Sequence, residues 1–241
     1  MPAPFLVACQ FLTTVPIRFA APPSVREQGA SLAWFGAVGL ILGGVLALIA
    51  WLAAAWAPPL VAAALVLAGW VIATGALHLD GLGDSADAMM GASRAEAFAI
   101  MKDPRAGSMA VAAIAVVLLA KFAAIAALIG QGHFAAVAAA PLVARVGAQA
   151  LFLTTPAARE DGLAATLAAH ADRQPVLIAL VVGLAAAALL LGFSSWLVLP
   201  LAAVVFIAVR ALMMRKLLGT TGDSAGALVE ILETAVLVLA V

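Results

Sequence analysis

Charge is scarce in this chain. Of 241 residues only 10% are charged and 66% are hydrophobic, with a mean hydropathy of +1.20. A soluble domain carries about a quarter of its residues as charges, so a water-exposed globule is excluded and lipid is the expected solvent. Net charge is also lacking: twelve basic residues balance twelve acidic ones, which gives no electrostatic footprint for nucleic acid. Cysteine is limited to Cys9, which excludes an internal disulfide and a cysteine-based metal cluster and leaves Cys9 as a small apolar residue. The N-terminus has no basic region, apolar core and small-residue cleavage site of a signal peptide, and is expected to stay on the protein. No repeat, linker or low-complexity tract beyond an Ala/Val/Leu bias divides the sequence, so residues 1–241 read as one domain.

What is present is a series of apolar runs long enough to cross a hydrocarbon core of roughly 30 Å as helices. A lipid-exposed sheet would leave an edge unsatisfied. The spans fall at Ser31–Trp56, Leu60–Leu77, Gly107–Ile129, Phe134–Phe152, Val176–Gly192, Trp196–Met214 and Gly226–Val241. The expected fold is therefore an all-α polytopic transmembrane bundle of about seven spans, within a range of six to eight. Pro4–Ile17 is too short to span and reads as an interfacial or re-entrant helix. The C-terminal run carries Glu230 and Glu233, and a half-buried helix is its alternative reading.

Turn-forming residues at Ala57–Pro59, Gly130–His133 and Gly192–Ser195 give short connections and antiparallel hairpins. The other connections are long and polar: the start to Ala30, Asp80–Ala106, Thr154–Pro175 and Arg215–Ala225. They hold Arg18, Arg26, Arg94, Lys102, Arg105, Arg159, Arg173, Arg215 and Lys216, while the short ones hold no Lys or Arg. The positive-inside rule makes the charged side cytoplasmic.

The segment from His78 to Asp87 follows a span directly and carries Asp80, Asp84 and Asp87 at i, i+4 and i+7. On a helix these offsets share one face, where three like charges repel unless a cation binds. Carboxylates suit Mg²⁺, whose shell is commonly completed by water and substrate phosphates. A solvated acidic loop is the bland alternative. Gly81 and Gly83 permit close backbone approach or simply close the turn. His78 is a candidate general base, metal ligand or packing residue.

Lys102-Asp103-Pro104-Arg105 precedes the third span. Lys102 and Arg105 either clamp phosphate or anchor the loop by their charge, and Asp103 is either a further metal ligand or their ion-pair partner. Thr221-Gly222-Asp223 reads as a turn into a helix able to hold an anion, with Asp223 a site residue or a helix cap. Lys121 and Arg145 lie inside apolar runs and should face a cavity or a partner. His133 is on the far side, and His170 has no assigned role.

Gly75 to Asp87 fits the pattern Gly-x-x-His-Leu-Asp-Gly-Leu-x-Asp-x-x-Asp, and Ile100 to Gly107 fits Ile-Met-Lys/Arg-Asp-x-Arg-x-Gly. With Phe11–Pro16, Arg159–Leu163 and Thr221-Gly-Asp223 followed by Gly226 and Glu230, these ordered motifs resemble the cobalamin synthase family, the adenosylcobinamide-GDP ribazoletransferases. Two positions depart from it: Pro104 stands where many members have a small hydroxyl residue, and Ala76 where glycine is common. The resemblance implies a membrane transferase that joins adenosylcobinamide-GDP to α-ribazole or its 5′-phosphate and releases GMP. It implies Mg²⁺ on Asp80, Asp84, Asp87 and Asp103, catalytic roles for His78, Asp223 and Glu230, and substrate contacts by Lys102, Arg105, Arg145, Arg159 and Thr221. It also implies a multi-pass protein of the cell inner membrane with a cytoplasmic active site, and leaves homo-oligomerisation open.

Two rivals are weighed. A CDP-alcohol phosphotransferase would show Asp-Gly-x-x-Ala-Arg followed by two further Asp at helical spacing, which is absent. An ion-coupled transporter would place acids near mid-span and might be built from inverted repeats, whereas these acids gather at span ends and in loops.

Overall fold

The computed structural model describes residues 3–241. Twelve α-helices follow in chain order: α1 Ala3–Leu12, α2 Val25–Ser31, α3 Phe35–Ala54, α4 Pro59–Thr74, α5 Leu77–Met90, α6 Arg94–Ile100, α7 Ser108–Gly130, α8 Phe134–Thr154, α9 Leu163–His170, α10 Arg173–Leu191, α11 Ser195–Leu217 and α12 Gly222–Leu239. Short 3₁₀ turns at Leu32–Trp34 and Gly192–Ser194 lead into α3 and α11. The described residues contain no strand, only an isolated parallel bridge between Ala157 and Thr220.

Four helical stretches are long and apolar enough to cross a membrane: Val25–Ala54, Ser108–Gly130, Phe134–Thr154 and Arg173–Leu217. The broken pair α4 and α5 makes a fifth if taken as one span. This is consistent with a membrane protein and coarser than the sequence expectation of about seven spans. The difference has two sources. Residues 173–217 form one nearly continuous helical stretch, divided into α10 and α11 at Gly192, whose φ is +57°. And α12 carries Asp223, Glu230 and Glu233, so it is not among the strongly apolar helices.

α12 is instead a central helix, packed against α5, α7, α8 and α11. α8 is almost wholly buried and meets α3 through Gly39 and Gly43, spaced four apart, which lie against the backbone of Pro141 and Ala138. Small residues at that spacing let two helices approach closely where the hydrophobic effect cannot drive association. Trp51, Ile72, Val116, Leu119, Leu189 and Phe193 face outward, which in lipid requires no compensation.

Residues 80–106, expected as a long polar connection, form most of α5 and all of α6. α5 turns 86° from α4. Gly75 (φ +61°) and Ala76 (φ +56°) make that corner with two consecutive left-handed residues. Alanine bears a steric penalty there that glycine does not.

The long polar segments meet one another. Arg94 donates to the Ala158 carbonyl at 2.6 Å, Lys216 to the Gly91 carbonyl, and Ala158 N–H to the Thr220 carbonyl at 2.8 Å. Four helices starting here are capped by side chains: Ser24 with Glu27 for α2, Ser93 for α6, Asp172 for α10 and Thr221 with Ser224 for α12.

Candidate active site

Two sets of carboxylates sit near the crossing of α5 and α12, in opposite circumstances. The crossing is tight because of Gly81, where a Cβ would stand 2.6 Å from the Asp223 carbonyl oxygen. Gly226 lies against His78 from the other side. This contact brings the first turn of α12 to the acidic face of α5, joining residues that are far apart in the chain.

Asp80, Asp84 and Asp87 all lie on α5. Among the described residues neither Asp80 nor Asp84 has a cation within salt-bridge distance. Burial, followed by the charges of Asp80, Asp223 and Asp87, pushes the Asp84 carboxyl up to about 6. Asp223 is also raised, chiefly by burial, with Arg159 opposing the shift. Asp87 is differently placed: its oxygens accept the N–H of Gly107 at 2.6 Å and of Ala110 at 3.0 Å, so it holds the start of α7.

Three cavities adjoin here. One of 280 Å³ lies between Asp80 and Asp84 on one side and Lys102, Asp103 and Pro104 on the other. A second, of 160 Å³, has His78, Asp80 and Asp223 at its polar edge and apolar walls. A third, of 110 Å³, is lined by Arg159, Asp161, Thr220, Thr221 and Asp223. Asp80 is common to the first two, and Asp223 to the second and third.

Arg105 projects into solvent, its side chain 86% exposed, and forks onto Asp103 at 2.6 and 2.9 Å. That hydrogen-bonded partner holds the Asp103 carboxyl down to about 2. Arg159 lies 3.7 Å from Asp223 and stacks over Phe98, whose ring also meets Arg94. Thr221 is the N-cap of α12, its hydroxyl accepting Ser224 N–H at 3.1 Å. Asp223 is thus in the first turn and is not the cap.

The second set of carboxylates is buried and paired. Lys121 donates to Glu230 at 2.6 Å and also to Glu233, and Arg145 donates to Glu233. Lys121 further stands 4.5 Å over the Trp70 ring. All four charged side chains are at most 4% exposed. Glu230 and Arg145, expected at a catalytic and a substrate position, line none of the three cavities. Both intramembrane cations do have partners, as their location requires.

Arg145 links the two sets, since its Nη2 is 3.4 Å from His78 Nδ1. A guanidinium only donates, so Nδ1 accepts and the proton of the neutral ring is on Nε2. Glu233 was not singled out as a site residue. The signal was present: a second acid one helical turn after Glu230, with two unpaired cations in apolar runs. His170 is exposed at the end of α9 and His133 precedes α8, neither at these cavities.

The family model described as Cobalamin-5-phosphate synthase matches residues 4–241. The chain belongs to this family. A relative from Stutzerimonas stutzeri named adenosylcobinamide-GDP ribazoletransferase is 49% identical over 240 residues, covering 98% of this chain and 96% of the relative. Relatives of the same name from Pseudomonas fluorescens SBW25 and Pseudomonas syringae pv. syringae are each 47% identical, with 98% and 97% of both chains covered, respectively. No solved structure matches the chain. Of the three motif carboxylates on α5, Asp80 and Asp84 have no cation within salt-bridge distance among the described residues, and Asp87 is held by backbone N–H groups alone.

Proposed function

We propose that the chain is an adenosylcobinamide-GDP ribazoletransferase: it transfers the adenosylcobinamide phosphate group to α-ribazole or its 5′-phosphate and releases GMP. The observation that carries this, beyond family membership, is the run of three adjoining cavities around the unpaired carboxylates of Asp80 and Asp84 and the carboxylate of Asp223.

The chemistry asks for a pyrophosphate to be held and a hydroxyl to be delivered. Lys102, across the larger cavity from Asp80 and Asp84, binds a phosphate oxygen as a point charge. Asp223 lines the two neighbouring cavities, and burial raises its carboxyl above the ordinary carboxylate range, which makes its carboxylate a stronger base for a hydroxyl proton. The ribose hydroxyl oxygen bonds to the cobinamide-side phosphorus, the bridging P–O bond to the GMP phosphate breaks, and the hydroxyl proton passes to Asp223. His78 supplies an Nε2–H donor at the edge of the same cavity.

No three His, Cys, Asp or Glu side chains among the described residues converge on one point as a ready-made metal cage. Mg²⁺ does not need one, because it is usually held by one or two carboxylates with water and phosphate. Asp80 and Asp84 fit that requirement: Asp84 is raised by burial and then by its acidic neighbours, and a divalent cation relieves that repulsion. When bound, such an ion neutralises charge on the phosphates. Asp87 and Asp103, engaged with backbone N–H groups and with Arg105, contribute less directly.

For topology we propose seven crossings, by α3, α4, α7, α8, α10, α11 and α12, in the cell inner membrane with the cavities on the cytoplasmic face. The absence of Lys and Arg from the three short connections supports this. A reporter fused after Val241 should read as non-cytoplasmic; a cytoplasmic reading removes one crossing.

The activity is tested with purified protein in detergent or lipid. GMP should appear from adenosylcobinamide-GDP only when α-ribazole or its phosphate is added with Mg²⁺. Absence of GMP across lipid conditions contradicts the assignment.

A further inference from the structure

The 160 Å³ cavity has a lining that differs from its neighbours. Phe11 comes from α1, Phe35 from the start of α3, Phe152 from α8, Leu163 and Leu167 from α9, and Val229 from α12. The charged or polar side chains in its lining are His78, Asp80 and Asp223. The walls are apolar contributions from five separate helices. Three of them, Phe35, Phe152 and Leu167, are nearly inaccessible from outside the chain, at 3%, 7% and 0% exposure.

We infer that this cavity takes the dimethylbenzimidazole base of α-ribazole, with the ribose at the Asp80–Asp223 edge; the inference rests on the transferase reading above. Chemistry selects this occupant. An apolar cavity of roughly 150 Å³ is enough for a benzene ring, and this one of 160 Å³ is partly open, so it encloses the methyl-bearing ring of the base while the rest of the nucleoside lies towards the opening. The base is a flat hydrocarbon-rich ring pair with two methyl groups, complementary to phenylalanine and leucine walls. Guanine, the other aromatic base in the reaction, carries donors and acceptors around most of its perimeter. Buried against Phe35, Phe152 and Leu167 those groups would go unpaired, which is strongly unfavourable. The corrinoid is far too large. The placement also orients the reaction, because a nucleoside whose base sits here delivers its ribose hydroxyl beside Asp223, while Asp80 is shared with the Lys102 cavity.

The test uses wild-type protein and two nucleosides, α-ribazole and its analogue lacking the two methyl groups. Each buried methyl is worth about fourfold in affinity, so the wild-type KM for the analogue should be about fifteenfold higher. Ala148→Val, at a cavity-lining position on α8, fills the space the methyls occupy. In this variant the ratio should fall to within about twofold, while the KM for adenosylcobinamide-GDP moves less than twofold. Leu163→Phe, at a half-buried position, serves if Ala148→Val does not fold. A wild-type ratio near one overturns the inference. So does a ratio that persists in both variants, or a variant effect confined to adenosylcobinamide-GDP, which would place guanine here instead. Failure of wild-type protein to release GMP with either nucleoside is a different result and rejects the transferase reading itself.

Discussion

Lys121, Arg145, Glu230 and Glu233 form a closed account of charge: two cations, two carboxylates, all buried, all in contact. A short distance away Asp80, Asp84 and Asp223 form an open one, with three like charges crowding each other and, among the described residues, only Arg159 within ion-pair distance. The same residue types therefore do opposite work. Paired carboxylates inside a bundle lock helices together, because leaving either partner alone in a low-dielectric interior is severely unfavourable. Crowded, unpaired carboxylates raise the energy of the empty site and make binding of a cation and phosphates favourable. Fold and function are separated by whether a counter-ion is built into the chain.

Several substitutions break or sharpen that contrast. The largest effect is expected for Glu233→Gln, which removes the partner of both Lys121 and Arg145. Lys121 keeps Glu230, but Arg145 is left without a carboxylate, so the fold should lose about 3–5 kcal/mol, seen as lost folded yield or a large drop in melting temperature in detergent. An unchanged melting temperature would mean the network is not structural.

Asp84→Asn should do the reverse. Turnover should fall by about 10²–10³, with melting temperature unchanged or higher because a repelling charge is gone. Lys102→Ala should raise the KM for adenosylcobinamide-GDP by about tenfold. Arg105→Ala should have a smaller effect, because that side chain is exposed and already held by Asp103. Equal effects of the two would remove Lys102 from its special place.

Ala76→Gly, at the left-handed corner between α4 and α5, should stabilise the protein by about 1 kcal/mol. Any loss of stability there contradicts the φ of +56°.

The pH dependence of the metal-free protein should reflect Asp84. Its carboxyl is raised in the fold from 3.8 to about 6, so the folded state binds that proton more tightly than the unfolded chain does. The associated stability is fully present below about 3.8 and is lost as pH rises through about 6. In EDTA the melting temperature should be higher at pH 5 than at pH 7, Mg²⁺ should narrow the gap at pH 7, and Asp84→Asn should lack this component.

Much of this was legible from residues alone. Apolar runs and turn signals located α3, α4, α7, α8, α10 and α11 to within a few residues, since lipid makes hydrophobicity a strong signal. The i, i+4, i+7 spacing put Asp80, Asp84 and Asp87 on one helix. The 86° corner was not legible, because it depends on Ala76 adopting a conformation that its side chain disfavours. Nor was the buried network: Lys121 and Arg145 announced a need for partners, but choosing Glu230 and Glu233 requires knowing that α12 passes between α7 and α8. The role of Asp87 at the start of α7 was hidden for the same reason, since it depends on a contact twenty residues along the chain.

The most direct test of the central contrast is GMP release as a function of Mg²⁺ concentration, comparing wild-type protein with Asp84→Asn. The open carboxylates should make wild-type turnover absent in EDTA and saturable in Mg²⁺, with the variant needing at least about tenfold more ion for half-maximal rate. Superimposable Mg²⁺ curves, or full wild-type turnover in EDTA, would contradict the account.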